Sequence, residues 1–169
     1  MLRLRPYKKC DAKHIVSWIK DEETFRKWCA DRYANYPITA DDINNHYETC
    51  ANLDDFYEMT AFDETNTVGH LIMRFTDPEK TVLRFGYVII NDDKRGMGYG
   101  KEMLTLSLQY AFDILKVKKV TLGVFENNKP AYYCYKSAGF HEILLDKPEY
   151  YHVLGEKWKC LEMEVIKNK

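Results

Sequence analysis

Leu2, Leu4 and Pro6 alternate with Arg3 and Arg5, so residues 1–6 predict a strand with one buried face, ended by its proline. From Asp11 to about Ala30 the apolar positions shift to helical spacing, at Ile15, Val16, Trp18, Ile19, Phe25 and Trp28, with a break near Asp21. That pattern predicts a helix capped by Asp11, an elbow, and a second short helix, with Trp18 and Trp28 turned to the core. Thr39, with Asp42 three residues on, then marks a third helix that runs to about Cys50. From Asp55 the period becomes two. Phe56, Tyr57, Met59 and Ala61, a turn at Asp63 to Asn66, and Val68, His70, Ile72, Arg74 and Phe75 predict a hairpin. The turn Asp77-Pro78-Glu79-Lys80 leads into the run from Val82 to Ile90, which makes an antiparallel meander of three strands.

Helical periodicity returns with Met103, Leu104, Leu106, Ala111, Leu115 and Val117, and the basic residues Lys116, Lys118 and Lys119 suit a helix C-terminus. Val120 to Phe125 is nearly continuous apolar sequence, as expected for a strand covered on both faces. Asn127-Asn128-Lys129-Pro130-Ala131 starts another helix, which Gly139 stops. Strand patterns follow at His141 to Leu145, at Tyr150 to Val153, and at Trp158, Cys160, Leu161, Met163 and Val165.

The length, 169 residues, predicts a single domain over residues 1–169 that buries roughly 70% of its unfolded surface. With 46% hydrophobic and 30% charged residues and a net charge of −1, nothing points to a nucleic-acid partner. No apolar run approaches the length of a membrane span, and no ligand set for a metal stands out. The cysteines, Cys10, Cys29, Cys50, Cys134 and Cys160, are odd in number and include no C-x-x-C pair. Together with an N-terminus lacking the apolar core of a signal peptide, they predict free thiols in the cytoplasm.

The candidate chemistry centres on Leu83 to Phe112. There an apolar strand runs into Arg95, Gly96, Met97, Gly98, Tyr99, Gly100 and Lys101, and a helix follows. Glycine at every second position is unfavourable inside a helix, by roughly 0.5–1 kcal/mol each, so these residues serve the turn. Such a turn presents free N–H groups and a helix dipole to an anion, with Arg95 and Lys101 adding charge. A P-loop is excluded because Gly100-Lys101 is followed by Glu102 rather than a hydroxyl residue. Gly-x-Gly-x-Gly also departs from the Gly-x-Gly-x-x-Gly of dinucleotide sites, which disfavours a nucleotide-binding protein.

Arg95-x-x-Gly98-x-Gly100 after an apolar strand closely resembles the acyl-CoA pyrophosphate loop of the GNAT superfamily of N-acetyltransferases. Asn128-x-x-Ala131-x-x-x-Tyr135-x-x-x-Gly139-Phe140, one helix and one strand later, is similar to that superfamily's second characteristic segment. The resemblance implies a fold of the α+β class, in three layers: a mixed central sheet of about six to seven strands flanked by helices on both faces. It implies acetyl-CoA as co-substrate and a primary amine, a small amine or a peptide N-terminus, as acceptor by direct attack in a ternary complex. The backbone of Val88, Ile89 and Ile90 would pair with the pantetheine arm, and the amides from Arg95 through Gly96, Met97, Gly98, Tyr99 and Gly100 to Lys101 would hold the pyrophosphate. Asn128 would bond the cofactor near the thioester, and Tyr135 would be the general acid for the departing thiolate. The sequence leaves the oligomeric state open, although strands in the C-terminal third could pair across a homodimer.

One part of the family's pattern is missing. No carboxylate lies between Arg84 and Ile90, and the residue five before Asn128 is Gly123, so the general base is unassigned among Glu126, Asp31, His70, His141 and water. A catalytically silent acyl-CoA-binding sensor is therefore the alternative. Trp28, Asp31, Arg32, Tyr33 and Tyr36, between the second and third helices, form a candidate acceptor wall in which Asp31 would hold a cationic amine. Cys134, on an apolar helix, reads as a buried structural thiol.

Overall fold

The computed structural model describes residues 1–64 and 66–168. The chain begins with β1 (Leu2–Pro6), a single 3-10 turn at Lys9–Asp11, and the helices α1 (Ala12–Trp18), α2 (Glu22–Cys29) and α3 (Ala40–Thr49). The meander β2 (Phe56–Asp63), β3 (Asn66–Phe75) and β4 (Val82–Ile90) comes next, then α4 (Tyr99–Gln109) and β5 (Lys119–Phe125). Helix α5 (Lys129–Ser137), β6 (His141–Ile143), β7 (Glu149–Val153) and β8 (Glu156–Ile166) complete it. Thr65, within the turn predicted at Asp63 to Asn66, lies outside the described residues.

Local sequence explains most of these boundaries. Asp21 accepts from the Thr24 amide at 2.7 Å and opens α2. Thr39 and Asp42 form the reciprocal capping box that opens α3. The predicted cap at Asp11 differs: its side chain gives α1 no hydrogen bond. It is buried, and it turns back to accept from Arg5 at 2.7 and 2.8 Å, from Thr60 at 2.8 Å and from the Lys8 amide at 2.8 Å. A buried carboxylate needs such donors more than a helix end needs a cap. Helix α4 ends earlier than its periodicity predicts and widens into a π turn at Tyr110–Ile114.

The described strands form one mixed sheet in the order β1-β2-β3-β4-β5-β8-β6, with β7 also on β8. There are eight strands rather than six or seven. The excess arises because β6 and β7 share one edge of β8, at Glu162–Glu164 and Glu156–Cys160 respectively. Helices cover both faces. Leu71, Met73, Leu83 and Phe85 pack with Met103 and Leu104 of α4 in one core, while Ile72, Tyr87 and Ile89 pack with Ile15, Phe25 and Ile43 of α1, α2 and α3 in the other.

One irregularity redirects β4. The β3–β4 register passes from Ile72↔Gly86 to His70↔Ile89, so Tyr87 and Val88 together face Leu71. This is a bulge, and Tyr87 has φ 49°, a left-handed conformation that is costly for a tyrosine. Leu83 and Phe85 therefore face the α4 core, whereas Tyr87 and Ile89 face the α1–α3 core.

Candidate active site

β4 and β5 run parallel but pair only at their start, from Val82↔Lys119 to Arg84↔Thr121. Beyond that point they separate, which leaves the β5-facing edge of β4 without ladder partners. Backbone groups on such an edge need hydrogen bonds from elsewhere, as a strand-like ligand would supply. A cavity of about 800 Å³ occupies the split; Val88, Ile89, Ile90, Gly123, Val124 and Phe125 are among its lining residues.

At one mouth lies the glycine loop. Arg95, Gly96, Gly98, Gly100 and Lys101 line the cavity. Gly96 and Gly98 have φ of 75° and 85° and nothing near the position of a Cβ, so they are needed for the backbone conformation. Gly98 is the N-cap of α4, and the amides of Tyr99, Gly100 and Lys101 in the first turn have no intrahelical acceptor. Gly100 serves another purpose: a Cβ there would sit 2.7 Å from Cys134 Sγ, so its absence lets α4 press against α5. Two of the candidate loop side chains point elsewhere. Met97 is exposed, and Tyr99 packs against the α4 core with its hydroxyl 3.4 Å from Asp63 Oδ2; neither lines the cavity. Only their backbone amides can serve a ligand.

Helix α5 contributes Asn128 and Tyr135 to the same cavity. Asn128 occupies the N-cap position of α5, but its side chain makes no capping bond, which leaves its amide for a ligand. Tyr135 is buried beside Phe140 with its ring centroid 6.3 Å away. Burial, with a smaller contribution from Cys134, pushes its phenol upward and keeps it protonated. Cys134 lines the cavity half-buried, its thiol pushed up by burial, which holds it as a neutral thiol.

A second part of the cavity, the α2 mouth, is lined by Thr24, Lys27 and Trp28 of α2 and by Arg32 after it. Arg26 donates to the carbonyls of Ala30, Tyr33 and Ala34 at 3.0, 2.7 and 2.9 Å and so fixes the loop after that helix. Trp28 and Arg32 from this segment line the cavity. Of the other predicted wall residues, Tyr33 stacks behind Trp28 at 5.7 Å, Tyr36 packs on Phe25 at 5.4 Å, and Asp31 is exposed. The expectation that Asp31 lines the acceptor site is therefore not met: none of these three lines the cavity. Its place is taken by its neighbour Arg32.

None of the four side chains considered for a general base lines the cavity. His70 is fully buried, 2.6 Å from the Tyr47 hydroxyl, and burial pulls it down to about 3. His141 sits on the edge strand 3.7 Å from Glu164, and Glu126 is 4.0 Å from Lys159. The lining carboxylate among the described residues is Glu149 at the start of β7, which accepts from the Tyr151 hydroxyl at 2.7 Å. Sequence reasoning missed Glu149, Tyr151 and Arg74, because no local motif joins β3 and β7 to the β4–β5 split.

The split parallel pair, the glycine turn that opens α4 and the buried phenol on α5 meet around one cavity, as the resemblance to acyl-CoA-dependent transferases implies. The family model described as acetyltransferase (GNAT) domain matches residues 1–141, and the chain belongs to that family. It is an N-acetyltransferase that uses acetyl-CoA and transfers the acetyl group to an amine.

Among curated proteins the chain is 27% identical, over 124 residues, to an uncharacterized N-acetyltransferase, YokL, from a Bacillus subtilis prophage. That match covers 69% of each chain. The Vibrio cholerae spermidine N-acetyltransferase in complex with CoA and spermine has the same fold, with a TM-score of 0.82 at 20% identity over 98% of this chain and 95% of that one. A single-residue mutant of the Vibrio cholerae enzyme gives a TM-score of 0.77 at 20% identity, covering 98% of this chain and 93% of that one. Identity at this level speaks for the fold. Among the described residues no helix is long and apolar enough to cross a membrane.

Proposed function

We propose that acetyl-CoA and the acceptor amine meet in the β4–β5 split and that the acetyl group passes directly between them in a ternary complex. The observation that supports this reading best is a single cavity lined by the glycine loop, Asn128 and Tyr135 as well as by the open α2 mouth. Backbone amides from Gly96 to Lys101, with the Arg95 and Lys101 side chains, hold the pyrophosphate. The free edge of β4 from Val88 to Ile90 pairs with the pantetheine arm. Asn128 orients the arm near the thioester.

In the chemical step the amine lone pair forms the N–C bond to the acetyl carbon, the C–S bond breaks, and its electron pair leaves with sulfur. Tyr135 delivers a proton to that sulfur, and the nitrogen loses one proton to Glu149 through intervening water. A phenol pushed up by burial donates to a thiolate only where water is excluded, and its buried position beside Phe140 meets that condition. Proximity of the two bound substrates accounts for the largest part of the acceleration.

The test is release of free thiol from acetyl-CoA with a panel of small amines and short peptides. Turnover is expected with at least one amine. Tyr135→Phe should lower kcat by about 10²–10⁴-fold, the range of a lost general acid, while the CoA dissociation constant stays within about twofold. Tight CoA binding with silence across the whole panel would instead support an acyl-CoA sensor.

A further inference from the structure

The α2 mouth is unusual in its charge. Arg74 on β3 stands directly opposite Arg84 on β4 in an antiparallel register, a like-charge pair that costs stability unless something offsets it. Arg84 is offset: its guanidinium reaches Glu162 at 2.5 Å and Thr121 at 3.2 Å. Arg74 is not. It lines the cavity half-buried, and no carboxylate among the described residues lies within ion-pair distance of it; Asp55 acts on it only from farther away.

Arg32 joins it from the loop after α2, with its guanidinium 5.8 Å from the Tyr87 ring centroid. Trp28 lines the same wall, but its indole N–H is buried away from the open cavity. Arg32 gives one N–H to the Cys29 carbonyl at 3.5 Å, but a guanidinium can only donate, so what Arg74 and Arg32 lack at this mouth is an acceptor carrying negative charge. The opposing group here is Glu149, already engaged by Tyr151. Arg95 and Lys101 belong to the glycine loop at the other mouth and are accounted for by the phosphates of the donor.

We infer that the acceptor is a small amine that also carries an oxyanion, which Arg74 and Arg32 bind while its amino group reaches the split. This rests on the N-acetyltransferase reading and narrows its substrate class. A polyamine would meet uncompensated arginines, whereas a carboxylate or phosphonate presents two oxygens to a planar guanidinium fork. Specificity of this kind combines attraction for the anion with repulsion of the cation.

The experiment measures acetyl-CoA-dependent thiol release with matched amines: β-alanine, aminoethylphosphonate, propylamine and spermidine. The two oxyanion-bearing amines should exceed propylamine by about tenfold or more in kcat/KM, and spermidine should be poorest; their ratio distinguishes carboxylate from phosphonate. Arg74→Gln and Arg32→Gln should each raise the KM for the preferred anionic amine about tenfold to a hundredfold, as for a lost charge-assisted hydrogen bond. The KM for acetyl-CoA should stay within about twofold, and an unchanged urea-unfolding midpoint shows that the variants fold. Arg74→Lys should recover part of the loss, and Arg74→Glu should move the preference toward spermidine. Preference for spermidine by the unaltered enzyme, or an unchanged anionic preference in Arg74→Gln and Arg32→Gln, would overturn the inference alone. Absence of thiol release with every amine, despite CoA binding, would overturn the transferase reading and the inference with it.

Discussion

At the glycine-loop mouth the groups available to an anion come from consecutive residues, Arg95 to Lys101, whereas at the α2 mouth they come from Arg32 and Arg74 on separate elements. The first site is made chiefly of backbone. Its N–H groups are positioned by φ angles that glycine tolerates, and it needs little from the rest of the fold. The second is made of side chains that converge only once the sheet and the loop after α2 have formed. The two supporting layers differ as well: the α4 face rests on apolar residues with Ser107 as its buried polar group, while Asp11, Thr60 and His70 are buried beneath the α1–α3 side.

That contrast can be broken most forcefully with pH. His70 is pulled down to about 3 in the fold against about 6.5 when unfolded. Between those values the unfolded chain binds the extra proton. The stability due to neutral His70 is therefore complete above about pH 6.5 and falls on acidification, by up to about 1.4 kcal/mol per pH unit. Urea unfolding at about pH 6.5 and about pH 5 should differ by about 2 kcal/mol, and His70→Gln should flatten this difference. Asp11, held below the usual carboxylate range by Arg5, Lys8 and Thr60, adds its own loss only below about pH 4. Equal slopes for the two proteins above about pH 5 would show that His70 is not the titrating group.

Next in size is a backbone lesion at the other mouth. Gly98→Val places a β-branched residue at φ 85° with no neighbour to clash against, so its cost is conformational, about 1–2 kcal/mol. The KM for acetyl-CoA should rise about tenfold while the acceptor KM holds; a rise confined to the acceptor would contradict the assignment of this loop to the donor. A smaller change should follow Arg26→Ala, which frees the carbonyls of Ala30, Tyr33 and Ala34 and loosens the segment that carries Arg32. Its acceptor KM should rise several-fold with the donor KM unmoved, and the reverse pattern would count against a positioning role.

The same contrast explains what is readable in the sequence. The turn from Arg95 to Gly100 and the segment from Asn128 to Gly139 stand out because local backbone rules require those residue types at that spacing. The meander, the capping box at Thr39 and the order of helices follow from periodicity for the same reason. The bulge at Tyr87 is not legible, since its only local sign is the glycine before it. At the α2 mouth the sequence suggests Asp31, whereas Arg32 lines the cavity, because one residue of loop geometry decides which of two neighbours faces it. Arg74 lies in an alternating strand where its polar character reads as an outward position, and nothing local says that β4 and β5 part beside it. Glu149 reaches the site from β7 only because β7 and β6 divide one edge of β8.

A split sheet that would join a donor mouth to an acceptor mouth is the centre of the proposed mechanism, and one pair of variants tests it. With acetyl-CoA and the best acceptor found, both KM values are measured for Arg95→Ala and Arg74→Gln. Arg95→Ala should raise the KM for acetyl-CoA several-fold and leave the acceptor unchanged, and Arg74→Gln should do the opposite. If both variants raise the same KM and spare the other, the two mouths do not serve different substrates and the mechanism is wrong.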